Sequence, residues 1–278
     1  MSIAYYNGKL LDFSEIKIPL TDRCIFFGDG IYDAAIGRGG KIYLCSEHIK
    51  RFLSNARRIG IPFSMKKENL AELLHMMAKN CGHEEYFIYF QLSRFSPERT
   101  HSYPDTEKHN LLITVKENIL PPMDKMLRLY TTEDIRYLMC DVKTLNLLPA
   151  VLASRAALDR GCDEAVFKRG AIITECAHSN IAIVKNGIFI THPEGRYILP
   201  GITRKRILAL CDRMGIVYKE VPFTHEEMLS ADEVLVMSTT KLCLAADRID
   251  GKLLKSTKSG AGRRIIEAIR EDFWRSTE

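Results

Sequence analysis

The chain has 278 residues, of which 46% are hydrophobic, and its 40 basic and 35 acidic residues give a formal net charge of +5. This length allows one large domain or two ordinary ones, and the hydrophobic fraction is normal for a globular protein. The charges are spread along the chain without a basic block, which argues against nucleic acid as a partner and is compatible with small anionic ligands.

The N-terminal residues 1–8 lack the basic start and apolar core of a signal peptide, and no apolar run reaches the length of a membrane span. The eight cysteines lie far apart, and no spacing typical of a metal site occurs. We therefore expect a cytoplasmic protein with free thiols, no membrane contact and no bound metal.

The first predicted elements are a hairpin and a pair of helices. Asn7 and Gly8 lie between two short strand-like segments, and both central positions of a type I′ turn require positive φ. Apolar residues at helical spacing then indicate two helices, the first of which carries His48 and Arg51 on one shared face.

The next predicted elements are two strands followed by a linker. Residues 85–94 and 110–116 are rich in aromatic and aliphatic side chains, as is typical of neighbouring sheet strands. Residues 117–124 contain paired prolines, which cannot continue a strand ladder and stiffen the connection. We therefore predict a smaller N-terminal domain at 1–116 and a larger C-terminal domain at 125–278.

The sequence of the second half of the chain predicts further strands and helices. A helix ends near Gly161, and two hairpins turn at Gly170 and Gly187. Another helix begins at Gly201, and residues 233–237 form a strand that leads into a hydroxyl-rich turn. Both halves therefore combine strands with helices.

Several residues in the second half have the chemistry that a phosphate-bearing aldehyde cofactor needs. These are a lysine amine, a carboxylate for a pyridine nitrogen, helix-start amides and hydroxyls for a phosphate: Lys143, Glu175, Ile202 with Thr203, and Ser238 with Thr239. Each also has a simpler explanation, as a lysine at a helix start, a surface carboxylate, or turn residues. The residues alone leave both interpretations open.

A family resemblance separates these interpretations. The segment Asp141-Val142-Lys143-Thr144-Leu145-Asn146 resembles the Schiff-base lysine motif of the class IV aminotransferases, the fold type IV enzymes that depend on pyridoxal 5′-phosphate. Other motifs occur in the family's order, at residues 27–32, 47–51, 174–180, 199–204 and 238–240. The resemblance spans nearly the whole chain. It implies a two-domain α/β fold with mixed sheets, and a homodimer whose active site lies between the domains and close to the dimer interface.

The resemblance also implies a role for each cofactor residue. Lys143 would be the Schiff-base lysine and would shuttle the proton between substrate and cofactor, while Glu175 would pair with the pyridine nitrogen. The phosphate would be bound by the side chain of Arg51, by the helix amides of Ile202 and Thr203, and by the hydroxyls of Ser238 and Thr239. Leu199 would pack on the ring.

One loop is most similar to that of D-amino-acid transaminases. In those enzymes an Arg-x-His pair, matched here by Arg99 and His101, comes from the partner subunit and binds the substrate α-carboxylate together with a tyrosine that matches Tyr32. Tyr89 matches another substrate-side tyrosine. The planar fork of arginine suits a carboxylate. The resemblance implies ping-pong transfer of an amino group from a D-amino acid such as D-alanine to a 2-oxo acid such as 2-oxoglutarate.

The chain departs from that pattern at two places. His178 stands among residues that are typically small or serine, and it could face the cofactor, alter the substrate pocket or point to solvent. Asp33 and the two alanines after it are smaller than the usual run, which implies a reshaped side-chain pocket. The alternatives are a branched-chain L-amino-acid aminotransferase or an aminodeoxychorismate lyase of the same fold. In an alternative of another class, a non-catalytic binding module, Lys143 is an ordinary surface residue.

Overall fold

A computed structural model describes residues 3–255 and 260–278, which form two compact units. The first unit contains the described residues up to Leu120 together with Val142–Asn146 and Arg275–Glu278, and the second contains the rest. Both units combine strands and helices, which confirms the predicted α/β class. The division at Leu120 lies inside the predicted linker 117–124. The segment with Lys143 groups with the first unit, whereas the prediction put it in the C-terminal domain.

The first unit is built on a six-stranded sheet in the described part of the chain. Its elements are β1 (Ile3–Tyr6), β2 (Lys9–Asp12), a 3-10 turn (Phe13–Glu15), α1 (Cys24–Phe27), β3 (Gly30–Arg38), β4 (Lys41–Ile42), α2 (Cys45–Arg58), α3 (Lys67–Lys79), β5 (Glu85–Arg94) and β6 (His109–Glu117). The strand order is β2-β1-β6-β5-β3-β4, and all pairs are antiparallel. The strands β3, β5 and β6 therefore form the long centre of the sheet.

The core of this unit follows from the periodicity of its strands and helices. Tyr86, Ile88 and Phe90 alternate along β5 and are fully buried, because alternate side chains of a strand point to the same face. On α2, Ile49 and Phe52 lie one turn apart and are also fully buried against this face. The Asn7-Gly8 turn that joins β1 and β2 has positive φ at both residues, as the sequence predicted.

A short segment from later in the chain adds to this sheet beside the start of β3. Lys143 accepts a hydrogen bond from the Tyr32 amide at 3.0 Å, and Leu145 donates one to the Gly30 carbonyl at 3.1 Å. An antiparallel bridge joins Ile31 to Thr144 between these two bonds. The backbone that carries Lys143 is thereby fixed to β3 by regular sheet hydrogen bonds.

The second unit is built on a ten-stranded mixed sheet among its described residues. Its elements are β7 (Leu127–Glu133), α4 (Leu148–Asp159), β8 (Glu164–Arg169), β9 (Ile172–Cys176), β10 (Asn180–Lys185), β11 (Ile188–Thr191), α5 (Ile202–Met214), β12 (Tyr218–Glu220), β13 (Phe223–Thr224), α6 (His225–Ser230), β14 (Glu233–Ser238), β15 (Leu242–Ile249), β16 (Lys252–Leu253) and α7 (Ala261–Thr277), whose last three residues group with the first unit. The strand order is β12-β11-β10-β14-β15-β7-β8-β9-β13, with β16 paired to β15.

The elements of the second unit begin and end at the signals that the sequence predicted. Hairpins turn at Gly170 and Gly187, between β8 and β9 and between β10 and β11. The helix α5 begins directly after Gly201 and ends at Gly215, whose left-handed φ of 66° closes it. None of the helices in residues 3–255 and 260–278 combines the length and the apolar character that a membrane span requires.

Candidate active site

Lys143 lies in the short segment beside β3, and its side chain is half-buried. Its Nζ atom is 4.3 Å from the centroid of the Tyr32 ring. A protonated amine at this distance is attracted to the face of the ring. The sheet hydrogen bonds of the backbone and the aromatic ring together fix the position of the amine.

The predicted substrate-side tyrosines lie together on the central strands of the first unit. The rings of Tyr32 on β3 and Tyr89 on β5 are stacked, with centroids 5.4 Å apart. The hydroxyl of Tyr89 donates to the side-chain oxygen of Gln91 at 2.7 Å. Burial raises the pKa of Tyr89, so this hydroxyl stays protonated at neutral pH. The structure therefore brings Lys143, Tyr32 and Tyr89 into one cluster.

Asp33 forms a buried ion pair directly after Tyr32. Its carboxylate is fully buried and accepts two hydrogen bonds from Arg51, from Nε to Oδ2 and from Nη2 to Oδ1, both at 2.8 Å. The same Oδ1 accepts from the Nδ1 of His48, also at 2.8 Å. The face that His48 and Arg51 share on α2 is thus the face that contacts β3. Arg51, the predicted phosphate-binding arginine, is held here by both oxygens of one carboxylate.

The charges of this cluster follow from its burial and its pairing. Burial raises the pKa of Asp33, but the charge of Arg51 and the hydrogen bonds from Arg51 and His48 outweigh it and hold that pKa well below its usual range. Burial lowers the pKa of His48, and the charge of Asp33 offsets this effect only in part. At neutral pH the cluster is therefore a carboxylate, a guanidinium and a neutral imidazole.

The Arg-x-His loop lies between β5 and β6, in residues 96–108, which contain neither helix nor strand. The side chains of Arg99 and His101 are exposed. The His101 ring is 5.5 Å from the ring of Phe27, and the guanidinium of Arg99 is 5.2 Å from the same ring. The two predicted carboxylate-binding side chains therefore share one aromatic contact.

Glu175 is the end of a buried network in the second unit. One oxygen of its carboxylate accepts from Nη1 of Arg136 at 2.5 Å. The other accepts from the side-chain nitrogen of Asn180 at 2.9 Å and from the amide of Leu199 at 3.0 Å. These donors orient the carboxylate and favour its charged form. Gly201 makes room for this arrangement, since a Cβ there would stand 1.9 Å from the Asn180 oxygen.

Arg136 contacts a predicted site residue and is one that the sequence analysis missed. Its guanidinium binds Glu175 and also Asp134, which accepts from Nη2 at 2.8 Å. Burial lowers the pKa of Arg136, but the hydrogen bonds to Asp134 and the charge of Glu175 outweigh it, so the guanidinium is charged. A carboxylate such as Glu175, placed among buried strand residues, needs a cationic partner. That need could have indicated in the sequence that a nearby arginine or lysine pairs with it.

The predicted phosphate-binding residues lie at the start of α5 and at the end of β14. Ile202 and Thr203 are the first residues of α5, where backbone amides have no partner within the helix and the helix end is positive. The Oγ of Ser238 is buried and has no hydrogen-bond partner among the described residues. Thr239 follows Ser238 and is half-buried. An orphan hydroxyl and helix-start amides are donors suited to a phosphate dianion.

His178 lies on the turn between β9 and β10, and 52% of its side chain is exposed. Its Nδ1 is 3.0 Å from Oε1 of Glu164, a fully buried carboxylate. The other oxygen of Glu164 binds the Nζ of Lys241 at 2.7 Å. Of the alternatives for His178, the contact with Glu164 and the high exposure favour a surface position. No group of three potential metal ligands occurs within residues 3–255 and 260–278.

Comparison with solved structures identifies the fold. The branched-chain aminotransferase from the archaeon Thermoproteus uzoniensis with norvaline superposes with a TM-score of 0.88 over 99% of this chain and 96% of that chain, at 21% identity. A putative 4-amino-4-deoxychorismate lyase from Legionella pneumophila has a TM-score of 0.84 over 94% of this chain and 97% of that chain, at 22% identity. At such identities the likeness concerns the fold.

Sequence comparison identifies the family. A family model described as amino-transferase class IV matches residues 30–249. A relative described as D-alanine aminotransferase, from Staphylococcus epidermidis (strain ATCC 35984), is 34% identical over 279 residues and covers 99% of both chains. The matched range begins at β3 and ends at β15, and it contains both Lys143 and Glu175. The chain therefore belongs to the class IV aminotransferases, as the resemblance in its motifs predicted.

Proposed function

We propose that the protein uses pyridoxal 5′-phosphate to transfer an amino group from a D-amino acid such as D-alanine to a 2-oxo acid. The position of Lys143 carries the proposal, because its amine lies on the ring of Tyr32 and its backbone is fixed to β3. The full-length relative described as D-alanine aminotransferase supports the substrate class. The structures of the two alternative activities are only 21% and 22% identical.

The donors in the second unit fit the cofactor. When bound, pyridoxal phosphate supplies an aldehyde for amines and a protonated ring that withdraws electrons from the substrate α-carbon. Glu175 would accept a hydrogen bond from the protonated ring nitrogen, and the guanidinium of Arg136 contacts the same carboxylate. Leu199 would pack on the ring. The phosphate would be bound by the helix-start amides of Ile202 and Thr203 and by the hydroxyls of Ser238 and Thr239. The guanidinium of Arg51, from the first unit, would be a further donor.

In this proposal Lys143 moves the substrate proton. A neutral amine can take the proton from the α-carbon of the amino donor and would deliver it to the cofactor. The face of the Tyr32 ring stabilises the amine while it is protonated. This cation–π attraction is lost when the amine gives up its proton. The stacked ring of Tyr89 supports Tyr32. We therefore assign the acid–base step to Lys143 and its orientation to the tyrosines.

We further propose a homodimer in which Arg99 and His101 bind the α-carboxylate of a substrate in the partner subunit. Both side chains are exposed in the single chain, as residues that act on another subunit must be. The helix α4 also exposes large apolar side chains at helical spacing, namely those of Leu148, Val151, Leu152 and Leu158. Exposed large apolar side chains on one helix are typical of a subunit interface.

The thiols support a reducing compartment. All eight cysteines are free. Burial raises the pKa of several of them, including Cys45 and Cys211, each to about 11, so these thiols stay protonated and unreactive at neutral pH. Free thiols in this number are typical of intracellular proteins, and we propose that the protein is cytoplasmic.

The role of Lys143 is tested by trapping the cofactor. Borohydride treatment of the holoenzyme is expected to label the peptide that contains Lys143, and Lys143→Ala is expected to abolish the label and the transaminase activity. Lys168→Ala is the matched control, since this lysine pairs with Glu133 at the surface and should leave the label unchanged. A label on a different peptide would move the catalytic lysine.

The substrate class is tested with three amino donors. We expect turnover of D-alanine with 2-oxoglutarate, and little turnover of L-leucine or release of pyruvate from aminodeoxychorismate. Turnover of L-leucine without D-alanine activity would assign the protein to the branched-chain aminotransferases instead. Purified protein that stays colourless after addition of pyridoxal phosphate would support the non-catalytic binding module.

A further inference from the structure

The side chain of Arg23 binds the backbone of the Arg-x-His loop. Arg23 lies directly before α1, and only 5% of its side chain is exposed. Its Nη1 donates to the carbonyl of Thr100 at 2.6 Å, and its Nη2 donates to the carbonyl of His101 at 3.2 Å. One planar guanidinium therefore binds two consecutive carbonyls of the loop through two different nitrogens, which the single nitrogen of a lysine cannot reproduce.

Arg23 is itself fixed by a shared carboxylate. Its Nε donates to Oδ2 of Asp29 at 2.8 Å, and the Nε of Arg94 donates to the same oxygen at 3.0 Å. Arg94, the last residue of β5, also donates to the carbonyls of Ile59 and Gly60, both at 2.6 Å. The guanidinium that holds the loop is thus tied to the end of a strand and to the segment after α2.

The functional side chains of the loop contact the same aromatic ring as Arg23. The guanidinium of Arg23 lies 4.4 Å from the centroid of the Phe27 ring. Arg99 and His101 approach this ring at 5.2 Å and 5.5 Å. Arg23 therefore fixes the loop backbone at the same place where both proposed carboxylate-binding side chains are packed.

We propose that Arg23 is a positioning residue for substrate binding, which holds Arg99 and His101 in the geometry that binds the α-carboxylate. The inference rests on the proposed function of that loop. Residues 96–108 have no regular ladder to fix their backbone, so the long-range bonds from Arg23 restrict the conformations of the loop. A loop that is already ordered loses less conformational entropy when the substrate binds.

The experiment compares substrate KM, kcat and cofactor affinity in the holoenzyme. Arg23→Lys keeps the charge but loses the fork, and we expect the KM of both the amino acid and the 2-oxo acid to rise about 10-fold. We expect kcat and the Kd for pyridoxal phosphate to stay within about 2-fold, because neither depends on the loop backbone. Arg23→Gln is measured in parallel, so that one poorly folded variant does not decide the result.

A matched control separates positioning from stability. Arg270 is another buried arginine, and it donates to the carbonyl of Pro121 in the second unit. Arg270→Lys is expected to lower the melting temperature without a change in the KM of either substrate. If the Arg23 variants lower melting temperature, kcat and cofactor affinity together while KM stays constant, Arg23 has only a structural role and the inference is wrong.

A double-mutant cycle tests whether Arg23 acts through Arg99. In an Arg99→Ala background, Arg23→Lys is expected to add at most about 2-fold to KM, because little binding through the loop remains to be disturbed. Two full, additive effects would show that Arg23 acts independently and would overturn the inference. Arg99→Ala with unchanged KM would instead remove the proposed function of the loop, so the two failures are distinguishable.

Discussion

A buried carboxylate belongs to the proposed site in each unit, Asp33 as the partner of Arg51 and Glu175 as a predicted site residue itself, but the two are bound differently. In the first unit, Asp33 is saturated by charged and ionisable partners, with Arg51 on both oxygens and His48 on one. In the second unit, one oxygen of Glu175 accepts from Nη1 of Arg136, and two neutral donors from Asn180 and Leu199 bind the other oxygen. The pair of Asp33 and Arg51 is therefore a bidentate, buried ion pair in the middle of β3.

This difference indicates that Asp33 acts mainly on stability and Glu175 mainly on ligand binding. Asp33 ties α2 to β3 and fixes the guanidinium of Arg51, so its main contribution is to stability. Glu175 lies at the end of β9, and Arg136 remains paired with Asp134 even without it. A carboxylate held in this way can bind a ligand and contribute little to the stability of the fold. The comparison is therefore open to test by changing each carboxylate to its amide.

Asp33→Asn is expected to have the largest effect. The substitution leaves a buried guanidinium opposite a neutral amide, which costs about 3–5 kcal/mol in the free energy of unfolding. The affinity for pyridoxal phosphate should also fall, because Arg51 loses its fixed orientation. Urea unfolding and a cofactor titration measure both. Asp159→Asn, which removes an exposed partner of Arg155, is the control, and a comparable loss of stability there would contradict this interpretation.

Glu175→Gln is expected to reduce activity with little loss of stability. The amide cannot hold a protonated ring nitrogen, and the loss of one preorganised electrostatic contact lowers kcat by about 100- to 1,000-fold. Glu133→Gln at the surface is the control and should keep full activity. Steady-state kinetics and urea unfolding of both variants check the prediction. A Glu175→Gln protein as unstable as Asp33→Asn would make the two carboxylates equivalent and refute the comparison.

The smallest effect concerns pH. The pKa of Asp33 is lower in the folded protein than in the unfolded chain, so its stabilisation is fully present above the unfolded value of 3.8 and is lost as the pH falls through the folded value. The part of the difference in unfolding free energy between wild type and Asp33→Asn that comes from the charge of Asp33 should therefore shrink below about pH 4. A difference that persists unchanged at lower pH would exclude an ionised Asp33.

The features that the sequence predicted well depend on local chemistry. The Asn7-Gly8 and Gly187 turns need positive φ and were predicted for that reason, because such signals act over two to four residues. The family motifs placed the cofactor residues in order along the chain. Their roles at the site stay predictions that the variants above test.

The features that the sequence did not predict depend on contacts between distant residues. Asp33 was interpreted as part of a smaller side-chain pocket, yet it lies against Arg51, eighteen positions away. Arg136 was missed, although it binds Glu175 across 39 positions. A single sequence shows which charges need a buried partner, but many residues of opposite charge satisfy that need equally well. Only the folded chain, which brings α2 and the segment after β7 against these carboxylates, selects among them.

The pairing of Lys143 with β3 has a consequence for synthesis of the chain. On the ribosome, the strands of the first sheet emerge by residue 117, but the segment that covers the start of β3 follows only after the next strand, β7. Until then the backbone of Gly30 and Tyr32 on that side lacks its final partners, and an open strand edge is a site for mispairing. Pairing of the start of β3 and placement of Lys143 are therefore one folding event.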